Sequence, residues 1–123
     1  MQARTSQSAV RLRRGTRAHR KQRDGVFRAI AHPTRREILG ILRNGQHSVN
    51  QIAENFRMSR PAVSKHLRLL RSAGLVTTRQ AGTSRLCGLN AKPLRDVNDW
   101  LQDYALFWGE SLQSLKSYME KKP

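Results

Sequence analysis

The chain has 123 residues, 37% of them hydrophobic, a length and apolar content that predict one folded domain with a modest core. Its 24 Lys and Arg residues outnumber the 8 Asp and Glu residues, and the net charge of +16 indicates a polyanionic partner or an anionic membrane surface. The sequence contains neither a run of about 18 apolar residues nor a secretory signal core, so we expect a cytoplasmic protein that does not enter the membrane.

Residues 1–23 form a basic segment that carries eight Lys or Arg residues and no acid. The segment has almost no apolar residues to bury, so we expect it to be a disordered arm. It is either a solvated tail or an arm that adds sequence-independent contacts to DNA phosphates. The folded domain is then expected to occupy residues 24–123.

Two short helices are predicted at the start of this domain. Asp24 can cap a helix over residues 26–31, which should end at His32 because a residue before proline is pushed out of the helical region. A second helix should begin with a capping box over residues 34–37 and stop at Asn44-Gly45. Both helices are interpreted as scaffold.

Residues 48–56 predict a third helix that leads into a tight turn. Ser48 and Gln51 form a capping-box pattern, and apolar residues follow at helical spacing. Small Ala53 allows a close crossing with the next helix, and Arg57-Met58 leaves only a short link to it. This spacing is typical of a helix-turn-helix.

The stretch 59–74 predicts a DNA recognition helix whose two sides differ in chemistry. Ser59 is a suitable N-cap, Pro61 falls in the first turn, and Gly74 can stop the helix. At 3.6 residues per turn, the side predicted to pack comprises Ala62, Val63, His66, Leu67, Leu69, Leu70 and Ala73. The outer side comprises Arg60, Pro61, Ser64, Lys65, Arg68, Arg71 and Ser72. We predict DNA contacts from Ser59, Arg60, Pro61, Ser64, Lys65 and Arg68.

An alternating pattern over residues 75–80 and 84–89, joined by a glycine-containing turn, predicts a β-hairpin. Arg79 and Arg85 place cations on the two strands. A basic hairpin directly after a recognition helix is interpreted as a wing, and its predicted DNA contacts are Arg79, Arg85 and Thr83 in the turn. For Arg85, the alternatives are contact with phosphate or a narrow minor groove and a plain solvated arginine.

Residues 91–121 predict a long amphipathic terminal helix, which Gly109 can divide in two. Both tryptophans and both tyrosines fall here, more aromatic area than a small domain can readily cover. We predict a self-association surface, and the alternative is that these aromatics belong to the monomer's own core. The predicted interface residues are Leu94, Val97, Trp100, Leu101, Tyr104, Trp108, Leu112 and Leu115.

The order of these elements and four of their motifs resemble the ArsR/SmtB winged-helix transcriptional repressors. The likeness covers residues 24–104 and rests on residues 31–39, 52–54, 59–67 and 70–76. It implies a mainly α fold with a small β-hairpin and a homodimer joined through its terminal helices. The resemblance further implies that two recognition helices enter successive major grooves while the wings touch flanking DNA.

The metal sensors of this family carry paired cysteines on the helix matching residues 48–56, or Asp and His pairs on the terminal helix, and this sequence has neither. Its single cysteine, Cys87, excludes an intramolecular disulfide, fits a reducing compartment and is expected to be a buried, inert thiol. His32 and His47 are interpreted as turn residues. We expect no metal or cofactor, and the aromatic terminal segment resembles the non-metal branch, in which some members repress their own operon.

These features predict a site-specific repressor that binds double-stranded DNA as a homodimer on a palindromic operator. The alternative is a nucleic-acid-packing protein that uses arm and domain as a general polycation. An enzyme is not expected, because the sequence shows no glycine-rich phosphate loop, no nucleophile motif and no clustered acid and base.

Overall fold

The computed structural model describes residues 16–121, apart from the side chains of residues 110–116 and 121. In chain order its elements are α1 (Arg17–Ile30), α2 (Pro33–Leu42), β1 (His47–Ser48), α3 (Val49–Ala53), α4 (Arg60–Ser72), β2 (Val76–Ala81), β3 (Ser84–Leu89), α5 (Leu94–Gln102) and α6 (Ala105–Lys121). The described part of the chain is therefore mainly helical with a small antiparallel sheet, as the sequence predicts.

One apolar core lies where the first four helices meet the sheet. Its fully buried residues come from α1, α2, α3, α4, β2 and β3 and from the residue before β2: Val26, Ile38, Ile52, Val63, Leu70, Leu75, Val76 and Cys87. Burying an aliphatic side chain of this size contributes about 1.5–3 kcal/mol relative to exposure. The core therefore fixes α4 relative to the hairpin that follows it.

Helix α1 begins earlier than predicted. Its N-cap is Thr16, whose hydroxyl accepts the backbone N–H of His19 at 3.2 Å, so the predicted cap at Asp24 is wrong. The polar residues 17–23 extend the helix because Val26 and Ala29 anchor its later turns in the core. The predicted disorder is thus wrong for residues 17–23, and for residues 1–15 it lies outside the described residues.

Helix α2 also begins before its predicted start. His32 is the N-cap, and its Nδ1 accepts the backbone N–H of Thr34 at 3.1 Å. Pro33 occupies the first helical position, where its fixed φ suits the helix and its missing N–H costs nothing. The capping box predicted over residues 34–37 is therefore wrong, and the predicted helix end holds, since Gly45 has a φ of +129°.

The capping box of α3 is confirmed. The Ser48 hydroxyl accepts the Gln51 backbone N–H at 3.1 Å, and the Gln51 side chain accepts the Ser48 backbone N–H at 2.8 Å. The helix ends at Ala53 rather than at residue 56, because the Asn55 amide donates to the carbonyls of Gln51 and Ile52 and so satisfies its last turn. The link to α4 is correspondingly longer than predicted.

The predicted hairpin is confirmed, within one residue of its expected bounds. Strands β2 and β3 pair antiparallel from Val76 opposite Leu89 to Ala81 opposite Ser84. Gly82 has a φ of +61°, the left-handed conformation that a two-residue hairpin turn needs at its first position. A short third strand, β1, adds to β3 and places His47 opposite Cys87, so the sheet order is β1-β3-β2.

The terminal segment is two helices, but the break is not at Gly109. Helix α5 ends at Gln102, and the N–H groups of Asp103 and Tyr104 donate to the carbonyls of Trp100 and Leu101, three residues earlier. These tighter bonds end α5 locally, and α6 continues through Gly109 as regular helix.

Candidate nucleic-acid interface

Local hydrogen bonds fix both ends of α4, the predicted recognition helix. The Ser59 hydroxyl accepts the backbone N–H of Ala62 at 3.3 Å, and Pro61 lies in the first turn. At the other end, Leu75 donates to the Leu70 carbonyl and Gly74, with a φ of +79°, donates to that of Arg71. This pattern is a Schellman motif, so the sequence itself determines where the helix starts and stops.

The inner side of α4 packs much as predicted. Val63, Leu67, Leu70 and Ala73 are buried, and His66 is half-buried. Leu69 is the exception, since it was expected on the packed side and is 41% exposed. The inner side thus locks the orientation of the helix and, with it, the direction of the outer side.

The outer side of α4 presents the residues that the sequence assigned to DNA. Ser59, Arg60, Pro61, Lys65 and Arg68 are exposed, and Ser64 is half-buried. The exposed side of this helix is therefore basic, with small polar groups between the cations. Arginine and lysine side chains at this spacing can reach base edges or phosphates of a major groove.

A polar cleft of about 410 Å³ lies between the start of α4 and the wing. It brings together four predicted site residues from two elements, namely Arg60, Ser64, Thr83 and Arg85. Sequence reasoning missed four further polar residues that line it: Ser48, Asn50, Gln80 and Ser84. Gln80 could have been found from strand alternation, because it pairs with Arg85 and so shares its face of the sheet.

Arg79 lies outside this cleft. It pairs with Leu86 on the face opposite that of Gln80 and Arg85, and its guanidinium donates to the Gln46 side-chain oxygen at 3.0 Å. The two predicted wing arginines therefore point to different sides of the sheet.

A buried arginine, which sequence reasoning did not single out, joins α2 to α1 and α4. Arg35 is 8% exposed, and it donates to the carbonyls of Ala29 and Arg28 at 2.7 and 3.0 Å. Its third partner is Nδ1 of His66 on α4, at 3.2 Å, and the His66 ring lies 4.6 Å from that of His32. The network ties the orientation of the recognition helix to the end of α1.

The pKa of His66 follows from this environment. Burial lowers it below the ordinary value of 6.5, and the charges of His32, Arg35 and Lys65 act in the same direction. At neutral pH the ring is therefore uncharged, and its Nδ1 can accept the Arg35 N–H. The neutral imidazole spares the packed side of α4 an additional buried charge.

The predicted interface residues differ in how far their own chain covers them. Leu94 and Val97 are half-buried against the core of the same chain, and the Trp100 ring packs edge-on against Phe27 of α1 at 5.4 Å. From α5 to α6, the described large apolar side chains that remain exposed are the predicted Trp100, Leu101, Tyr104 and Trp108, together with Leu106, Phe107, Tyr118 and Met119. The side chains of Leu112 and Leu115 lie outside the described residues.

Cys87 is fully buried, as predicted, and burial raises the pKa of its thiol despite the nearby charges of Arg71 and Arg85. Among the side chains that the structure describes within residues 16–121, no three from His, Cys, Asp or Glu converge as a metal site would require. Across the same residues, every helix is too short or too polar to span a bilayer.

Comparison with known proteins identifies the fold and the family. Residues 32–78, which contain the helix-turn-helix and the start of the wing, match the family model of bacterial regulatory proteins of the arsR family. The chain is 36% identical over 81 residues to the transcriptional repressor SdpR of Bacillus subtilis, covering 66% of this chain and 90% of SdpR. The chain belongs to the ArsR family.

Solved structures of the family share the fold described above. The crystal structure of an ArsR family transcriptional regulator superposes with a TM-score of 0.66 at 35% identity, covering 72% of this chain and 92% of the other. A homodimeric winged helix-turn-helix DNA-binding domain from Mycobacterium bovis gives a TM-score of 0.59 at 26% identity, covering 75% and 87%. This ArsR member is accordingly a winged-helix, DNA-binding regulator of transcription.

Proposed function

We propose that this regulator is a repressor that acts as a homodimer on a palindromic operator in the cytoplasm. The observation that carries the proposal is the polar cleft between α4 and the wing, which joins Arg60 and Ser64 to Thr83 and Arg85. Cations and hydroxyls from two elements converge there on one concave surface. Such a surface fits the edge of a DNA groove together with its phosphate backbone.

Within this arrangement the residues of α4 have different tasks. Arg60 and Lys65 lie toward the start of the helix, the part that reaches base edges in helix-turn-helix proteins, and we assign them to base contacts. Arg68 lies further along the helix and is assigned to phosphate. Arg79 is also assigned to phosphate, because it points away from the cleft.

Two observations support the homodimer. The solved Mycobacterium bovis relative is homodimeric, and in this chain α5 and α6 carry large apolar side chains that its own core does not cover. A two-fold axis between two copies would place their recognition helices about 34–36 Å apart, one turn of DNA. The palindromic operator follows from that symmetry.

The repressor assignment is supported by SdpR, which is named as a transcriptional repressor and which this chain covers almost completely. The net charge of +16 favours one alternative, a nucleic-acid-packing protein. At physiological salt, a repressor should bind its operator about 10³-fold or more tightly than bulk DNA, whereas a packing protein should bind both with similar affinity.

The test is to select DNA from random fragments and then measure its affinity for two charge-matched variants. Lys65→Ala should weaken binding to the selected site by about 1–3 kcal/mol and relax specificity, because a base contact is lost. Arg79→Ala removes the same charge and should weaken selected and unrelated DNA equally. Selection that yields no common sequence would favour the packing protein, and equal behaviour of the two variants would refute the assignment of α4 to base reading.

A further inference from the structure

A second cavity, of about 430 Å³, lies between α1 and the later turns of α4. Its volume falls within the range of about 300–1,000 Å³ that is typical of small-molecule sites. Gly25 of α1 lines this cavity, and the space beside it is empty, since a Cβ built at this position meets no atom within 4 Å. Leu69 of α4 lines the opposite wall, which accounts for its exposure on a side of the helix that otherwise packs.

The charged residues that line this cavity are all cations: Lys21, Arg28 and Arg35. Arg35 is more than nine-tenths buried, and its three acceptors, two carbonyls and one imidazole, are neutral. No carboxylate of the described residues forms a salt bridge with it. Buried charges are normally paired, and the carbonyl end of α1 supplies only a partial negative charge.

We propose that this cavity binds a small amphipathic organic monoanion. A carboxylate would lie toward Lys21, Arg28 and Arg35, and the apolar body would lie against Leu69 and in the space beside Gly25. A guanidinium has five N–H donors, of which Arg35 uses three, so two remain for an anion. Residues 1–15 of the same chain are an unsuitable occupant, because they carry four arginines and no acid.

A ligand bound in this cavity would affect the DNA-binding surface through two residues that line it. Arg35 bonds to His66, and Leu69 is part of α4 itself, so both cavity walls include groups tied to the recognition helix. A bound carboxylate would share the Arg35 guanidinium with His66 and would add negative charge beside α4. The monoanion is therefore an effector that lowers DNA affinity, a consequence that rests on the function proposed above.

The experiment uses decanoate as the probe, measured by calorimetry and by amide chemical shifts on the full chain without DNA. Gly25→Leu fills the cavity and should weaken decanoate binding by about tenfold or more. Gly40→Leu is the matched control, because Gly40 is an exposed helical glycine of α2 whose Cβ would also meet nothing within 4 Å. The Gly40→Leu variant should bind decanoate like the parent. Decyltrimethylammonium, which has the opposite charge, should bind neither the parent nor this variant.

Shifts confined to residues around the cavity, lost in Gly25→Leu and kept in Gly40→Leu, would support the site. Absence of binding, or equal binding by the two variants, would overturn it. Phosphatidylglycerol vesicles distinguish a lipid surface from a free acid, because adsorption to the basic exterior should not change in Gly25→Leu. Titrating DNA with and without decanoate then tests regulation separately: binding without an effect on DNA would refute the effector role and leave the repressor proposal intact.

Discussion

His66 shows how one side chain joins the packed side of the recognition helix to the rest of the fold. Its Nδ1 accepts from Arg35 only when the ring is neutral, because a protonated imidazole has no free acceptor nitrogen. The ring also lies 4.6 Å from that of His32, so protonation would add a charge among groups that are already basic. The residue therefore makes the stability of the domain sensitive to pH.

The sign of this sensitivity follows from the pKa. Burial, with help from neighbouring charges, lowers the pKa of His66 in the folded chain below 6.5, the value expected when the chain is unfolded. The unfolded state then binds more protons as pH falls below 6.5, so the free energy of unfolding should decrease from there down to the folded pKa and should not change above it.

Denaturation with urea between pH 7.5 and pH 5 measures this effect. His66→Gln keeps an oxygen that can accept from Arg35 but cannot titrate, so it should reduce the loss of stability at low pH. His47→Gln is the matched control, because it makes the same substitution at a histidine of β1 that contacts the Gly45 carbonyl and not Arg35. If the His66 and His47 variants follow the same pH profile, His66 is not the responsible group.

At the scale of elements, helix ends with a clear capping pattern in the sequence could be predicted, and helix ends with an ambiguous pattern or none could not. The caps of α4 and the capping box of α3 lie within the sequence of each helix, so both were recognised. The pair His32-Pro33 fits two boundaries at once, the end of α1 and the start of α2, and only the first of them is predicted from the sequence. The break after α5 contains neither glycine nor proline, so the sequence gives no helix-breaking residue from which it could be predicted.

The candidate DNA-binding site was also predictable only in part. The exposed residues of α4 follow from helical periodicity, whereas Ser48 and Asn50 enter the cleft because tertiary packing brings α3 beside the wing. Strand β1 has two residues, too few to show an alternating pattern, and it forms only because β3 is there to pair with it. Arg35 looked like an ordinary polar residue of a first helical turn, since its partners are distant in sequence.

Arg35 and Arg36 provide a matched test of how α2 holds the end of α1. The Arg35 side chain is buried and donates to two carbonyls and to His66, whereas the Arg36 side chain is exposed and donates to the Ile30 carbonyl. Arg35→Ala should lower the free energy of unfolding by about 2–4 kcal/mol, because buried acceptors lose a charged donor. Arg36→Ala should cost about 0.5 kcal/mol or less.

Urea denaturation of both variants at pH 7.5 gives the comparison, with equal m-values as the check that two-state unfolding is preserved. Similar losses for the two variants would show that the buried network does not stabilise the helix junction. Retention of full stability by Arg35→Ala would also contradict the role of Arg35 as the link between α1, α2 and α4.

At the scale of the whole molecule, the charged and the exposed aromatic residues lie in different segments of the chain. Residues 55–90 hold seven Lys or Arg residues and no acid, whereas residues 91–123 hold five of each charge. The basic part faces the proposed DNA, and the electrically balanced part carries the exposed aromatic residues of α5 and α6. An apolar surface next to balanced charge suits contact with a second copy, because two such surfaces do not repel.

The proposed dimer can be tested through Trp108, an exposed aromatic of α6 whose replacement should not unfold the domain. Trp108→Glu should place an unpaired carboxylate in the interface and shift the protein toward monomer at micromolar concentration. Gln102→Glu adds the same charge at an exposed polar position of α5 and should remain dimeric.

Sedimentation and titration of a palindromic operator, on the same samples, connect assembly to DNA binding. The Trp108 variant should bind the palindrome more weakly than the parent while its recognition helix is unchanged, because two half-sites are then engaged by separate molecules. A monomeric variant that binds the palindrome as tightly as the parent would refute the need for a dimer. A parent that is itself monomeric at these concentrations would refute the interface, and the apolar surface of α5 and α6 would then need a different partner.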